Sequence, residues 1–395
     1  MVIIPPLYNN DTTVEFLIQP EKNLFYPNEV FLHFSVKIPA GYVLDNQSAD
    51  KLFDSVEVQL NSTKITNRSS SSEYFLSAYF NTRCSYPTDL YDTSMRPMGY
   101  YSTRSVDAAD ITALTSSVKA ATLAEYTHYE VKESNVTTER VYNFITPIMS
   151  PLFQQTKPLP SNINVGLSFK RSSSNLPLLE IVTDSKNTFA NTNVELKNVF
   201  LECTYVDDEI LEKKYNYLNS KELKYSLEEP IIRTFTIESG LNEATFNVNT
   251  GGQLPFALFS TIITPKAFFG DKKLSPTKFE RKNLTAFEVL VDNVVLPGSH
   301  VNITDQSYVE PYVSFLRNTK LYNNAMAGKT LRMSDFLHSN FILSYDLTTT
   351  KQETGWLSLK YNFGDYLSEN LMVIVCLLYE KQLVINKDRE IIVNN

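Results

Sequence analysis

The sequence predicts an all-β protein made of two antiparallel β-sandwiches or barrels of similar size. Three observations carry this. Apolar residues recur with a period of two in segment after segment of both halves. Helical signals are few, so strands follow one another without the alternating helices of a parallel sheet. A single charged helical segment, Glu209 to Leu218, lies near the middle of the 395 residues.

In the first half, Leu32, Phe34, Val36 and Ile38 share one face of a predicted strand over Val30–Ile38, with His33, Ser35 and Lys37 on the other. Val56–Leu60, Ile163–Phe169 and Val194–Tyr205 repeat the pattern. In the second half, Ile231–Ile237, Phe256–Ile263, Ala286–Leu296, Phe341–Leu347, Trp356–Phe363 and Leu371–Tyr379 read as strands. Most are bounded by Pro, Gly, Asn, Asp or Ser, the residues that make turns. Gly is scarce, with 11 in the chain, so Asn, Asp, Ser and Pro carry most of that task.

Three helices are expected. Ser70-Ser-Ser-Glu73 matches a capping box and precedes Tyr74–Phe80. Asp207 and Asp208 start the segment at 209–218, where carboxylates suit the helix dipole and Glu209 precedes Lys213 by four residues. Val106–Tyr126 is a weaker case, inside a region poor in strand signals from Tyr86 to Arg140. That region reads as an insertion with its own job or a mobile loop, whose deletion should spare the core fold. The expected organisation is therefore an N-terminal domain, 1–206, with its insertion at about 86–140; a helical linker, 207–224; and a C-terminal domain, 225–395.

Composition excludes several functions. The net charge of −8 is opposite to that of a protein that coats nucleic acid, so no sequence-specific nucleic-acid contact is expected. Cys84, Cys203 and Cys376 are odd in number and far apart, which argues against a disulfide framework and for a reducing compartment. The longest apolar run, Leu371–Tyr379, is about half of the ~20 residues a spanning helix needs. The first residues, Met1-Val-Ile-Ile-Pro-Pro-Leu7, lack the basic region of a signal peptide.

No catalytic, cofactor or metal site is expected. Gly328-Lys329-Thr330 lacks the upstream glycine of a phosphate loop, because Asn323 stands there. Asp207-Asp208-Glu209 is explained by the helix start. His33, His128, His300 and His338 show no ligand spacing, and Asp335 near His338 has no nucleophile motif beside it. The basic stretch Lys272, Lys273, Lys278, Arg281 and Lys282 reads as a solvated loop.

Several segments, in order, resemble the hexon-like major capsid proteins of Polinton/Maverick elements and the related adintoviruses. In the first half they are Val14–Ile18, Leu32–Ile38, Leu52–Asn61, Glu73–Tyr79 and Leu159–Arg171. In the second half they are Ile231–Gly240, Gly252–Pro255, Ala267–Gly270, Phe341–Leu347, Trp356–Tyr361 and Leu371–Tyr379. The stretch Tyr86–Val141 has no counterpart; in a trimer of this kind the insertion is expected at the top, where its deletion would weaken the trimer and spare the core fold. The resemblance implies a double jelly roll of two eight-stranded sandwiches, with a few short helices in loops and at the domain junction. It implies a homotrimeric, pseudo-hexameric capsomer that tiles an icosahedral virion shell with penton and minor capsid proteins, and no enzyme activity. The aromatic loops Tyr86–Tyr101 and Tyr308–Tyr312 are candidates for contacts within the trimer. The competing readings are another β-sandwich virion or attachment protein, and a carbohydrate-binding or carbohydrate-cleaving sandwich, whose site would need converging carboxylates and exposed aromatics.

Overall fold

The alternating segments of the first half form strands β1 (Val2–Ile4), β2 (Tyr8–Asn9), β3 (Thr13–Ile18), β4 (Leu24–Ile38), β5 (Tyr42–Leu44), β6 (Phe53–Leu60), β7 (Thr63–Lys64), β8 (Arg140–Pro147), β9 (Val165–Arg171), β10 (Leu178–Glu180) and β11 (Glu195–Val206). This is a computed structural model, which describes residues 1–20, 24–66, 73–86, 90, 94–100, 104–113, 139–160, 162–172, 176–180, 194–206, 221–249, 252–303, 309–319, 331–348, 350 and 352–394. One sheet has the order β1-β11-β4-β8 and faces a second ordered β2-β3-β9-β6-β7; β5 and β10 form a pair of their own. Apart from β2 and that pair, the first strand lies beside the last (β1 and β11), the second beside the seventh (β3 and β9), the third beside the sixth (β4 and β8) and the fourth beside the fifth (β6 and β7). All these pairs are antiparallel, and this nested pairing is a jelly roll.

The second half repeats it. Its strands are β12 (Leu223–Ile237), β13 (Glu243–Asn247), β14 (Ala257–Ile263), β15 (Leu284–Val291), β16 (Val294–Val295), β17 (Val301–Asn302), β18 (Leu343–Asp346), β19 (Leu357–Phe363), β20 (Leu371–Ile385) and β21 (Ile391–Asn394). The sheet orders are β12-β20-β14-β18, with β21 on β20, and β13-β19-β15-β16, with β17 on β15. The chain is a double jelly roll.

Period-two patterning sets the faces. Leu32, Phe34, Val36 and Ile38 are buried in the core of the first roll, while His33 and Lys37 keep part of their surface in solvent. Tyr142 and Phe144 of β8 point inward, between the exposed Val141 and Ile145.

Three expectations change. Ala286–Leu296 is a hairpin instead of one strand: Asp292 and Asn293 both take positive φ (50° and 66°), and Leu290 and Val291 pair with Val295 and Val294. Two left-handed residues make the two-residue turn whose twist suits a hairpin. The expected linker over 207–224 is shortened at its end, because Leu223 and Lys224 already pair in β12 with Ile385 and Val384. Residues 207–220, with the helix expected at 209–218, lie outside the described residues. β12 and β20 also run further than their apolar segments suggest, staying paired over all fifteen residues of each. Their far ends carry Tyr225, Leu227, Leu383 and Ile385 into the core of the first roll, so the strands that open and close the second roll staple the two together.

The helix expected after Ser70 is present as Glu73–Ser85, with Ser70 itself outside the described residues. Ala108–Ala113 is the described helical part of Val106–Tyr126.

Candidate functional site

The described part of the 86–140 region is no detachable insertion. Met95, Met98 and Tyr100 are buried in the core of the first roll, and residues 104–110 wedge between the rolls. Arg104 pairs with Asp335, the Ser105 amide donates to Ser339 Oγ (3.2 Å) and the Ala108 amide donates to the Lys273 carbonyl (3.0 Å). This runs against the expectation of a dispensable segment: the Ser105 and Ala108 amides are satisfied by the second roll, and deleting residues 104–108 would leave Asp335 and Lys278 without these partners.

At the centre of this junction is a buried polar network. Lys51 is fully enclosed, and its Nζ donates to Asp45 Oδ2 (2.5 Å), the Asn46 carbonyl (2.7 Å) and Thr277 Oγ1 (2.9 Å). Those are the three hydrogen bonds an ammonium can donate. Asp45 also accepts from Ser275 Oγ (2.7 Å), and Thr277 meets Ser105 Oγ (3.0 Å). Asp45 and Lys51 belong to the first roll, Ser275 and Thr277 to the second, and Ser105 to the wedge. Burial pushes the Lys51 ammonium below the usual lysine range, against the pull of the Asp45 carboxylate.

Asp50 sits in the same run and accepts from Tyr100 OH (2.7 Å) and Gln47 Nε2 (3.3 Å). Burial raises its carboxyl to about 6, in spite of those hydrogen bonds and the nearby Lys51 charge. A run as polar as Asp45-Asn-Gln-Ser-Ala-Asp-Lys51 reads as an exposed turn, and no residue of it was singled out in the sequence. Only the partners, 226 residues away in the case of Thr277, explain its burial.

The basic stretch is likewise more than a solvated loop. Lys278 donates to Asp107 and Asp110, both at 2.8 Å. Burial opposes its charge, but these hydrogen bonds outweigh it and hold its pKa above the usual lysine range. Lys272 lies over the Tyr42 ring at 5.1 Å.

The helix Glu73–Ser85 has two working faces. Tyr74 and Ala78, four apart, pack in the first core, while Phe75, Leu76, Tyr79 and Phe80 pack in the second. Tyr79 OH donates to Asn340 Oδ1 (2.8 Å). A cavity of about 220 Å³ lies beside this helix, lined by Phe80, Cys84 and Met149 from one roll and Phe259, Cys376 and Leu378 from the other.

The remaining sequence candidates separate. His33 stacks on Phe200 (4.6 Å) and pairs with Glu202 (2.9 Å), so it is half-buried on a sheet face. His300 contacts Glu288 (2.7 Å) and Asn302 (3.0 Å). Asp335 pairs with Arg104 of the wedge. Tyr86 packs on the first core, Tyr100 is buried on Asp50, and Tyr312 OH donates to the Leu331 carbonyl (2.6 Å); these three aromatics cover their own chain. Tyr101, Tyr308, His128, Asp207-Asp208-Glu209 and Gly328-Lys329-Thr330 lie outside the described residues. Among the described residues no group of three or more His, Cys, Asp or Glu is placed to hold a metal ion, and no helix is long and apolar enough to cross a membrane. Cys84, Cys203 and Cys376 are free thiols, and burial pushes Cys203 up to about 12.

No family model matches this chain, and no curated protein does. Solved structures do. A chain of the Sputnik virophage structure, determined by cryo-EM, is 13% identical with a TM-score of 0.68, covering 100% of this chain and 87% of that one. The mavirus major capsid protein is 11% identical with a TM-score of 0.55, covering 100% and 89%. The Faustovirus major capsid protein is 8% identical with a TM-score of 0.54, covering 96% and 89%. At such identities the likeness is one of fold, and it spans both jelly rolls.

Proposed function

We propose that this chain is a structural major capsid protein of a double-stranded DNA virus or virus-like element, of the kind found in Polinton/Maverick elements and adintoviruses. The observation that carries the reading is the full-length match to viral capsid proteins, with the same strand order twice in one chain. Three copies would place six similar rolls in a ring, and a three-fold object would then tile like a hexagon. The role is assembly into a virion shell beside penton and minor capsid proteins, with no catalytic step. The buried junction supports this reading: a capsomer needs its two rolls held as one rigid body, and the Lys51 network, the shared helix and the two long strands do that.

Light scattering on the purified protein tests it. A homotrimer has a mass of 3 × 45.1 = 135.3 kDa. The expected result is a stable species of that mass, with a hexagonal outline in negative stain. A chain that remains at 45.1 kDa over a wide concentration range would remove the capsomer reading.

A further inference from the structure

The cavity between the rolls follows from where short side chains face one another. On the helix Glu73–Ser85, the residues Ser77, Phe80, Asn81 and Cys84 stand at i, i+3, i+4 and i+7, so they share one face. Phe80 stacks on Phe259 of β14 at 6.1 Å, which holds that face over the outer side of the β12-β20-β14 sheet. Phe259 lies across from Cys376 in register. Two residues further along the same side, Ala257 and Pro230 flank Leu378. Away from the Phe80–Phe259 contact the facing side chains are short: Ser77 and Cys84 on the helix, Cys376 and Ala257 on the sheet. About 220 Å³ is left between them. Met149 of the first roll and Asn318 and Thr319 of the second complete the wall.

This volume exceeds the roughly 150 Å³ in which an apolar cavity takes up benzene. Gln154 and Glu228 also line it and are exposed, so it opens to solvent at their side. Glu228 lies across from Glu380 in register. Side chains directly opposite on adjacent strands share a face, and like charges there repel. Lys381, next in the chain, is committed to Glu229 on the other face of the two strands. Among the described residues no Lys, Arg or His lines the cavity. Inside, burial pushes the Cys84 and Cys376 thiols up, which keeps them neutral. The interior is therefore uncharged and largely apolar, and the mouth is negative.

We propose that this cavity is a binding site for a small organic ammonium, with an apolar body of about six to ten heavy atoms inside and the cationic head at Glu228 and Glu380. Burial of the body drives binding, and the head relieves the repulsion between the two carboxylates. The walls come from both rolls, so an occupied site ties them together and stabilises the folded chain. The site lies within one chain and does not depend on the number of copies in an assembled particle.

Titration calorimetry on the intact protein at pH 7 tests this with three probes of one shape: phenethylamine, 2-phenylethanol and phenylacetate. Phenethylamine, protonated at that pH, should bind saturably at one site per chain, with a midpoint of about 1 mM or tighter. The neutral alcohol should bind about five- to tenfold more weakly, and the anion more weakly still. Glu228→Gln, at an exposed position, should remove the preference for the ammonium and leave the affinity for the alcohol unchanged. A second measurement locates the ligand without a variant: phenethylamine should slow alkylation of Cys84 by iodoacetamide, in proportion to occupancy. No saturable binding of phenethylamine, or equal binding of phenylacetate, overturns the proposal. So does an unchanged affinity for the ammonium in Glu228→Gln. Saturable binding that leaves Cys84 alkylation unaltered places the ligand elsewhere and overturns the cavity as its site.

Discussion

Lys51 of the first jelly roll donates a 2.9 Å hydrogen bond to Thr277 of the second, across a junction from which both side chains exclude water. A buried ammonium is tolerated only when its donors are matched, and here Asp45, Asn46 and Thr277 match all of them. The consequence is a joint whose parts fail together.

Lys51→Met should therefore be costly. It leaves the Asp45 carboxylate buried without its cation, with Ser275 and the Asn46 amide as donors among the described residues. The expected loss is about 3–5 kcal/mol, the range for breaking one side of a buried pair. Thr277→Val removes one acceptor and should cost less, about 1–3 kcal/mol. Chemical denaturation midpoints measure both, and equal effects would contradict the central place of Lys51.

A second buried pair allows a sharper test. Glu229 of β12 and Lys381 of β20 form an ion pair where the long strands pass between the rolls. Glu229→Leu alone strands a buried ammonium and should destabilise by about 3–5 kcal/mol, while Glu229→Leu/Lys381→Leu should recover most of that loss. A double variant as unstable as the single one would mean that the charges themselves hold the strands together.

Asp50 should make stability depend on pH in a defined direction. Its carboxyl is raised from 3.8 to about 6 in the folded chain, so between those values the folded state holds more protons than the unfolded one. Its contribution is present below pH ~4 and is lost as pH rises through ~6, amounting to about 3 kcal/mol for a shift of roughly two units. Asp50→Asn should remove this slope. Urea midpoints at pH 4, 5, 6 and 7 would show the wild type losing stability relative to the variant across that window; parallel profiles would contradict it.

Lys278→Met should loosen the wedge without unfolding either core. It leaves Asp107 and Asp110 without their shared cation, and Asp107 also orders the Ser275 amide. Limited proteolysis should then cut within residues 104–113 faster than in the wild type, with the melting of the two cores little changed.

Gly99 tests a backbone demand. It has φ +80°, and a Cβ there would lie 2.5 Å from Ser48 Oγ and 3.0 Å from the Ala49 nitrogen. Its carbonyl accepts from the amides of Gln47 and Ser48, which lead into the Lys51 run. Gly99→Ala should cost about 1–3 kcal/mol from the left-handed conformation alone, and more from the clash. A variant with an unchanged melting temperature would show that the loop relaxes freely.

The sequence by itself determined the strands with clear period-two alternation, such as Leu32–Ile38, and their inward faces. Period two is a local property: Leu32 to Ile38 states its buried face within seven residues, whatever the partner strand. It also marked the helix at Glu73, because a cap and its apolar run are neighbours in the chain. Tertiary structure decided the rest. The continuous apolar run Leu371–Leu377 looks like one more strand, and only the helix from the other roll explains why both its faces are apolar. Asp45, Asp50 and Lys51 look like a solvated turn, because burying a charge depends on partners that lie hundreds of residues away and leave no local pattern. Hydrophobic periodicity is written along the chain. Compensation of buried charge is written only in space.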